Sequence, residues 1–238
     1  MDLTVERPII ALDFPDIATT RHFLGRFDQE TQLFVKVGME LFYSAGPDIV
    51  RELRAAGHDV FLDLKLHDIP HTVEAGMRSI AKLGVAMTTT HISGGSEMLR
   101  AAKSGLEAGA STGTTTKLLG ITQLTSTSEA QMHDEQHIPG ALSADVVHRA
   151  RLAEKSGCDG VVCSALEATD IFKATNTSFL RITPGIRPTQ NSVDDQVRVV
   201  TPARAKELNS SGIVVGRPIT QATDPVAAYF AIQNAWHN

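Results

Sequence analysis

At 238 residues and 42% hydrophobic content the chain has enough apolar material for one large core, and its length approaches the roughly 250 residues of an eight-unit β/α barrel. A net charge of −5 and 5% aromatic residues leave no basic stripe. This argues against nucleic acid as the main partner, but not against a phosphorylated small molecule in a local basic pocket.

Pro8 to Asp13 is a short apolar run ending in an acid, and Pro15-Asp16 opens a helical stretch through Arg26. Leu33 to Gly38 repeats the strand form around Lys36, and Gly46-Pro47-Asp48 starts a helix whose Ile49, Val50 and Leu53 share a face. Asp59 begins a third strand that Pro70 ends, followed by a helix from Thr72 to Leu83. Val85 to His91 is the fourth strand, with a helix near 97–108. Lys117 to Leu124 is the fifth, running into the polar segment 125–129, a loop, and a helix from Ser143 to Lys155. Cys158 to Ser164 is the sixth, with a helix from about Leu166, and Phe179 to Thr183 is the seventh, ending in Pro184-Gly-Ile-Arg187-Pro188. A polar stretch from Thr189 to Gln196 follows, then a helix capped at Thr201, an eighth strand from Gly212 to Arg217, and a last helix from Asp224-Pro225 to Trp236.

Strands alternating with helices predict a parallel sheet, and the count at this length predicts a closed (β/α)8 TIM barrel formed by residues 1–238 as a single domain. The N-terminus shows no basic segment followed by an apolar run, and no stretch approaches the roughly 20 apolar residues of a membrane span. A soluble, cytoplasmic chain is the expectation. Cys158 and Cys163 have neither the number for a disulfide framework nor metal or redox spacing, and read as small core residues.

In such a barrel the strand C-terminal ends form the active face, and period-two parity says what points there. Ile10 and Leu12 lie opposite Asp13. Leu33, Val35 and Val37 lie opposite Lys36, and Val60, Leu62 and Leu64 lie opposite Asp63 and Lys65. Taken alone, Asp63-x-Lys65 is an ordinary surface ion pair contributing about 0–1 kcal/mol. Repeated on three strands, the pattern sends apolar residues toward the helices and charges toward the barrel mouth, where unpaired charge is costly. Asp13, Lys36, Asp63, Lys65 and Asp68 would then alternate in sign. A lysine ammonium so placed suits carbanion stabilisation or proton donation better than Schiff-base chemistry.

Across the mouth, Arg187 follows strand seven and Gly216-Arg217 follows strand eight, the usual phosphate-binding place of this fold. A guanidinium fork matches phosphate oxygens, and glycine lets the backbone come close. By itself a Gly-Arg pair is more often a turn with a solvated arginine; its position in the eighth unit gives it meaning.

The segment Asp63-Leu-Lys65-Leu-His-Asp68-Ile69-Pro70 resembles the DxKxxDI signature of the orotidine 5′-monophosphate decarboxylase family. Ala-Leu-Asp13, Val-Lys36-Val-Gly, Gln-Leu-Thr125-Ser, Pro-Gly-Ile-Arg187-Pro, Asp-Asp-Gln196-x-Arg and Val-Gly216-Arg217-Pro resemble further family motifs in the same order, so the likeness covers nearly the whole chain. The resemblance implies a homodimeric barrel that converts orotidine 5′-monophosphate to UMP and CO2 with no metal and no organic cofactor. It implies that Lys65 stabilises a carbanion at C6 of the pyrimidine and protonates it, while Asp63 holds Lys65 near the substrate carboxylate. Asp68, Ile69 and Thr72 would enter the neighbouring subunit's site, and Asp13 and Lys36 would hold ribose hydroxyls. Thr125 and Ser128 would meet or cover the base. Arg187, Gln196, Gly216 and Arg217 would hold the phosphate, with 187–196 as a lid.

Two other readings fit the same motifs less well. A metal-dependent sugar-phosphate decarboxylase or aldolase shares the DxK core and would use the acids around a metal. Against a catalytically idle barrel that only binds nucleotides, no position of the charged set is blunted. His67, His71 and His91 lack companion residues at metal-ligand spacing and read as polar or packing residues, and Trp236 as a packing contact of the last helix.

Overall fold

The computed structural model describes residues 5–188 and 199–238. Its first half runs β1 (Ile9–Ala11), α1 (Ile17–Leu24), β2 (Phe34–Val37), α2 (Met39–Ala45), α3 (Asp48–Ala55), β3 (Asp59–Leu66), α4 (Pro70–Ala81), β4 (Met87–His91) and α5 (Gly95–Gly109). The second half runs β5 (Lys117–Ile121), α6 (Glu129–Asp134), α7 (Leu142–Lys155), β6 (Gly160–Val162), α8 (Ala165–Ala174), β7 (Leu180–Thr183), α9 (Pro202–Glu207), β8 (Gly212–Val215), α10 (Arg217–Thr220) and α11 (Pro225–His237). The strands pair in parallel, each with its sequence neighbour, and β8 returns to β1 to close the barrel. Register is continuous across β1 to β3, with Ala11 beside Lys36 and Lys36 beside Phe61.

Parity divides the core into two parts. Ile10, Leu12, Leu33, Val35, Val37, Val60 and Leu62 pack outward with the helices. Ile9, Ala11, Phe34, Phe61, Met87, Leu119, Leu180, Ile182 and Val214 fill the barrel interior. The interior is therefore closed by apolar side chains below the mouth, and the charges on the same faces sit above that floor.

Three short helices depart from the reading of the sequence: α2, α6 and α10. Each is too brief to show helical periodicity. Among the three, α6 starts on a reciprocal capping box of Ser128 and Gln131, and α10 has a proline, Pro218, in its first turn. Helix α4 begins at Pro70, earlier than Thr72; proline needs no hydrogen-bond partner in the first turn, so the residue that ends β3 also starts the helix. Both cysteines are buried and unbridged. Burial, with the Asp159 charge adding to it, pushes the Cys158 thiol up to about 12. Trp236 is buried, and its Nε1–H donates to the Val5 carbonyl at 3.0 Å, tying α11 to the start of the chain. Among the described residues no helix is long and apolar enough to cross a membrane. Gln196 and most of the segment read as a lid lie outside the described residues.

Candidate active site

A cavity of about 380 Å³ opens at the C-terminal ends of the strands, within the size range of small-molecule sites. Asp13, Lys36, Asp63 and Lys65 line it together with Arg187, Gly216 and Arg217, and β8, which leads into Gly216, pairs directly with β1, which leads into Asp13. Thr125 is also on the cavity wall.

The four charges form a chain. Lys36 Nζ is 2.9 Å from Asp13 Oδ1 and 3.9 Å from Asp63 Oδ2, and Lys65 Nζ is 2.8 Å from the same Asp63 oxygen. The side chains of Lys36 and Asp63 keep only 12% exposure, whereas Asp13 keeps 63%. Two ammonium groups thus converge on one shielded carboxylate oxygen, and neither buried charge is left without a counter-charge. Gly38 leaves room for this chain: a Cβ there would lie 3.1 Å from Lys36 Nζ and 3.3 Å from Asp13 Oδ1.

Lys65 reaches its position through a local irregularity. The register of β3 against β4 shifts between Leu62 and Leu66, and Lys65 has φ = +53°, a left-handed conformation unusual for a residue with a Cβ. Its N–H donates to Thr89 Oγ1 at 2.9 Å, and that hydroxyl donates to Asp63 Oδ1 at 2.9 Å.

Arg187, also in the lining, is buried and its Nη1 donates to the Ile186 carbonyl at 3.0 Å. At Gly216, whose φ is −103°, an added Cβ would meet Ala11 Cβ at 3.5 Å and Asp13 Oδ2 at 3.9 Å, ordinary contacts. What a side chain would take away at 216 is cavity space.

The predicted residues therefore separate into two groups. Asp13, Lys36, Asp63, Lys65, Thr125, Arg187, Gly216 and Arg217 meet at the cavity. Asp68, Ile69 and Thr72 do not: all three are exposed, Asp68 Oδ1 accepts the Ile69 N–H at 2.6 Å, and Ile69 is 66% exposed. Within one chain Asp68 therefore stands apart from the charge network. Ser128 is also absent from the lining; its hydroxyl caps α6 by accepting the Gln131 N–H at 3.1 Å.

Thr89 and Gln123 were not singled out in the sequence. Threonine is ordinary in a strand, and only a register shift gives Thr89 its two partners. Gln123 is buried at the cavity wall, and its Nε2 donates to Gln136 Oε1 at 2.9 Å and to Asp145 Oδ2 at 2.8 Å. Asp145 also accepts from Arg149 Nε at 2.6 Å, so the segment carrying Thr125 is anchored to α7. His67 and His91 bring their rings to 5.5 Å. Burial, then the neighbouring charges of His67, Lys65 and Arg149, lowers the His91 pKa against the opposing pull of Asp63. Among the described residues no three His, Cys, Asp or Glu side chains gather in a way that would hold a metal ion.

Residues 6–232 match the model of the orotidine 5'-phosphate decarboxylase / HUMPS family. The chain is 58% identical over 231 residues to the orotidine 5'-phosphate decarboxylase of Ligilactobacillus salivarius, covering 97% of this chain and 98% of that protein. It is 57% identical to the protein of the same name from Enterococcus faecalis, with the same coverage. The crystal structure of orotidine 5'-phosphate decarboxylase from Lactobacillus acidophilus superposes with a TM-score of 0.89 at 44% identity, covering 98% of this chain and 99% of that one. With its barrel, its DxK strand and these relatives agreeing over nearly the full length, the chain belongs to the orotidine 5'-phosphate decarboxylase / HUMPS family.

Proposed function

We propose that this protein decarboxylates orotidine 5′-monophosphate to UMP and CO2 in de novo pyrimidine biosynthesis, using no metal and no organic cofactor. The observation that carries the reading is the Asp13–Lys36–Asp63–Lys65 chain sharing one cavity with two arginines. The names of relatives at 55–58% identity support the same substrate.

In this reading the phosphate binds Arg187, Gly216 and Arg217, joined by Gln196, and the ribose hydroxyls bind Asp13 and Lys36. Thr125 contacts the base, and Ser128 acts on it indirectly by capping the helix that follows. The C6–carboxylate bond breaks, its electron pair stays on C6, and CO2 leaves. The Lys65 ammonium stabilises that developing charge and then donates a proton to C6, giving UMP; solvent returns the proton to Lys65. Asp63 keeps the ammonium in place beside the reacting carbon.

The electrostatics are of a useful size only in a dry site. Two unit charges 4 Å apart interact by about 1 kcal/mol in water and about 4 kcal/mol at an effective dielectric near 20. Phosphate binding far from C6 supplies the energy that keeps substrate and lysine together and excludes water.

The protein acts as a cytoplasmic homodimer in which Asp68, Ile69 and Thr72 complete the neighbouring subunit's site. Their exposure outside their own cavity supports this, as does the large apolar surface of Ile69 beside a carboxylate.

Absorbance of orotidine 5′-monophosphate followed in excess EDTA tests the reading. Turnover undiminished by the chelator is expected. Turnover that appears only with added divalent metal would place the protein with the metal-dependent sugar-phosphate enzymes, and nucleotide binding without turnover would make it an idle barrel.

A further inference from the structure

We infer that Thr89 is a positioning residue for this reaction, its one hydroxyl fixing both the backbone that carries Lys65 and the carboxylate that holds the Lys65 ammonium. The inference rests on the roles proposed above for Lys65 and Asp63.

Strand β4 carries three consecutive threonines, Thr88, Thr89 and Thr90, each fully buried. Thr88 Oγ1 donates to the Leu62 carbonyl at 2.9 Å and Thr90 Oγ1 to the Leu66 carbonyl at 2.8 Å. These two brace the β3 backbone at the ends of its register shift. Thr89 lies on the opposite face, the one that Met87 presents to the barrel interior.

A hydroxyl has one proton to donate and lone pairs to accept with. Thr89 commits its proton to Asp63 Oδ1 and a lone pair to the Lys65 N–H. The two oxygens of Asp63 are thereby assigned: Oδ1 to Thr89, Oδ2 to Lys65 Nζ at 2.8 Å with Lys36 Nζ at 3.9 Å. Rotation of the carboxylate would break several contacts together. A left-handed lysine persists only where its surroundings fix it, and Thr89 makes the hydrogen bond that does so at Lys65. Thr89 does not itself line the cavity, so its effect reaches substrate only through Asp63 and Lys65.

The test compares kcat, KM and UMP affinity in the full-length protein for Thr89→Val, Thr89→Ser and Thr88→Val. Removing the Thr89 hydroxyl while keeping its shape lowers kcat about ten- to a hundredfold, with KM and UMP affinity changed by less than about threefold. Thr89→Ser restores most of kcat. Thr88→Val, which loses a structural hydrogen bond on the same strand, lowers the melting temperature without that loss of kcat. Should Thr89→Val fail to fold, Thr89→Cys, similar in size with only a weak thiol donor, takes its place in the same comparison. A kcat within about threefold of the unmutated protein, or equal losses in the Thr89 and Thr88 variants, overturns the inference while leaving the function standing. Absence of turnover in the unmutated protein overturns both.

Discussion

His58 lies at the closed end of the barrel, between β2 and β3, where the Leu33 N–H donates to its Nδ1 at 3.3 Å. Burial, with the Arg7 charge, lowers its pKa, and Asp59 opposes them. Arg7 and Arg54 both pair with Asp59, Arg54 at 2.9 Å, and Arg54 Nη1 also donates to the His58 backbone carbonyl at 2.7 Å. A lowered value in the folded chain means that the unfolded chain takes up the proton first as pH falls. The stability tied to neutral His58 is therefore complete above the ordinary value of 6.5 and is lost as pH falls through the folded value, and His91 shifts in the same direction. The urea midpoint is expected to fall between about pH 7.5 and about pH 5.5, with a shallower fall in His58→Asn; an identical slope in that variant would contradict the assignment. At this scale the sequence was informative where alternation placed charge, as with Asp13, Lys36, Asp63 and Lys65. It was not informative where a tertiary partner decides the role. Thr89 needs the β3 shift, and Gln123 needs Asp145 on α7.

Helices α4 and α5 meet through glycine. A Cβ on Gly105 would lie 2.2 Å from the Glu74 carbonyl oxygen, and one on Gly109 would lie 2.3 Å from that of Arg78. These positions are one helical turn apart on α5, so the two backbones approach more closely than any side chain would permit. The contact fixes α4, whose first residues follow Asp68 and Ile69 directly. Gly105→Ala should destabilise the protein by about 2 kcal/mol or more and weaken dimer assembly, read by urea melts and sedimentation; a change below about 0.5 kcal/mol would show that the helices can move apart. Strand parity and helix starts such as Thr201-Pro202 and Asp224-Pro225 were legible in the sequence, because each is a local signal. The glycine contact was not, since an isolated helical glycine does not say which backbone approaches it.

At the scale of the molecule, eight strand–helix repeats announced the barrel, and closure of β8 onto β1 brings Asp13 and Arg217 to one cavity from opposite ends of the chain. The assembly of two chains is the part that one chain's pattern does not contain. If Asp68 serves the neighbouring site, mixing Lys65→Ala with Asp68→Ala subunits creates heterodimers with one intact site, and equal mixing restores about a quarter of the unmutated activity. No recovery after confirmed subunit exchange would place Asp68 in its own chain's chemistry. The central claim, that the Lys65 ammonium both stabilises and protonates C6, is tested most directly by the kcat of Lys65→Ala measured beside its UMP affinity. The account predicts a loss of roughly four orders of magnitude or more in kcat with the fold and nucleotide binding retained, whereas a loss within about tenfold would contradict it.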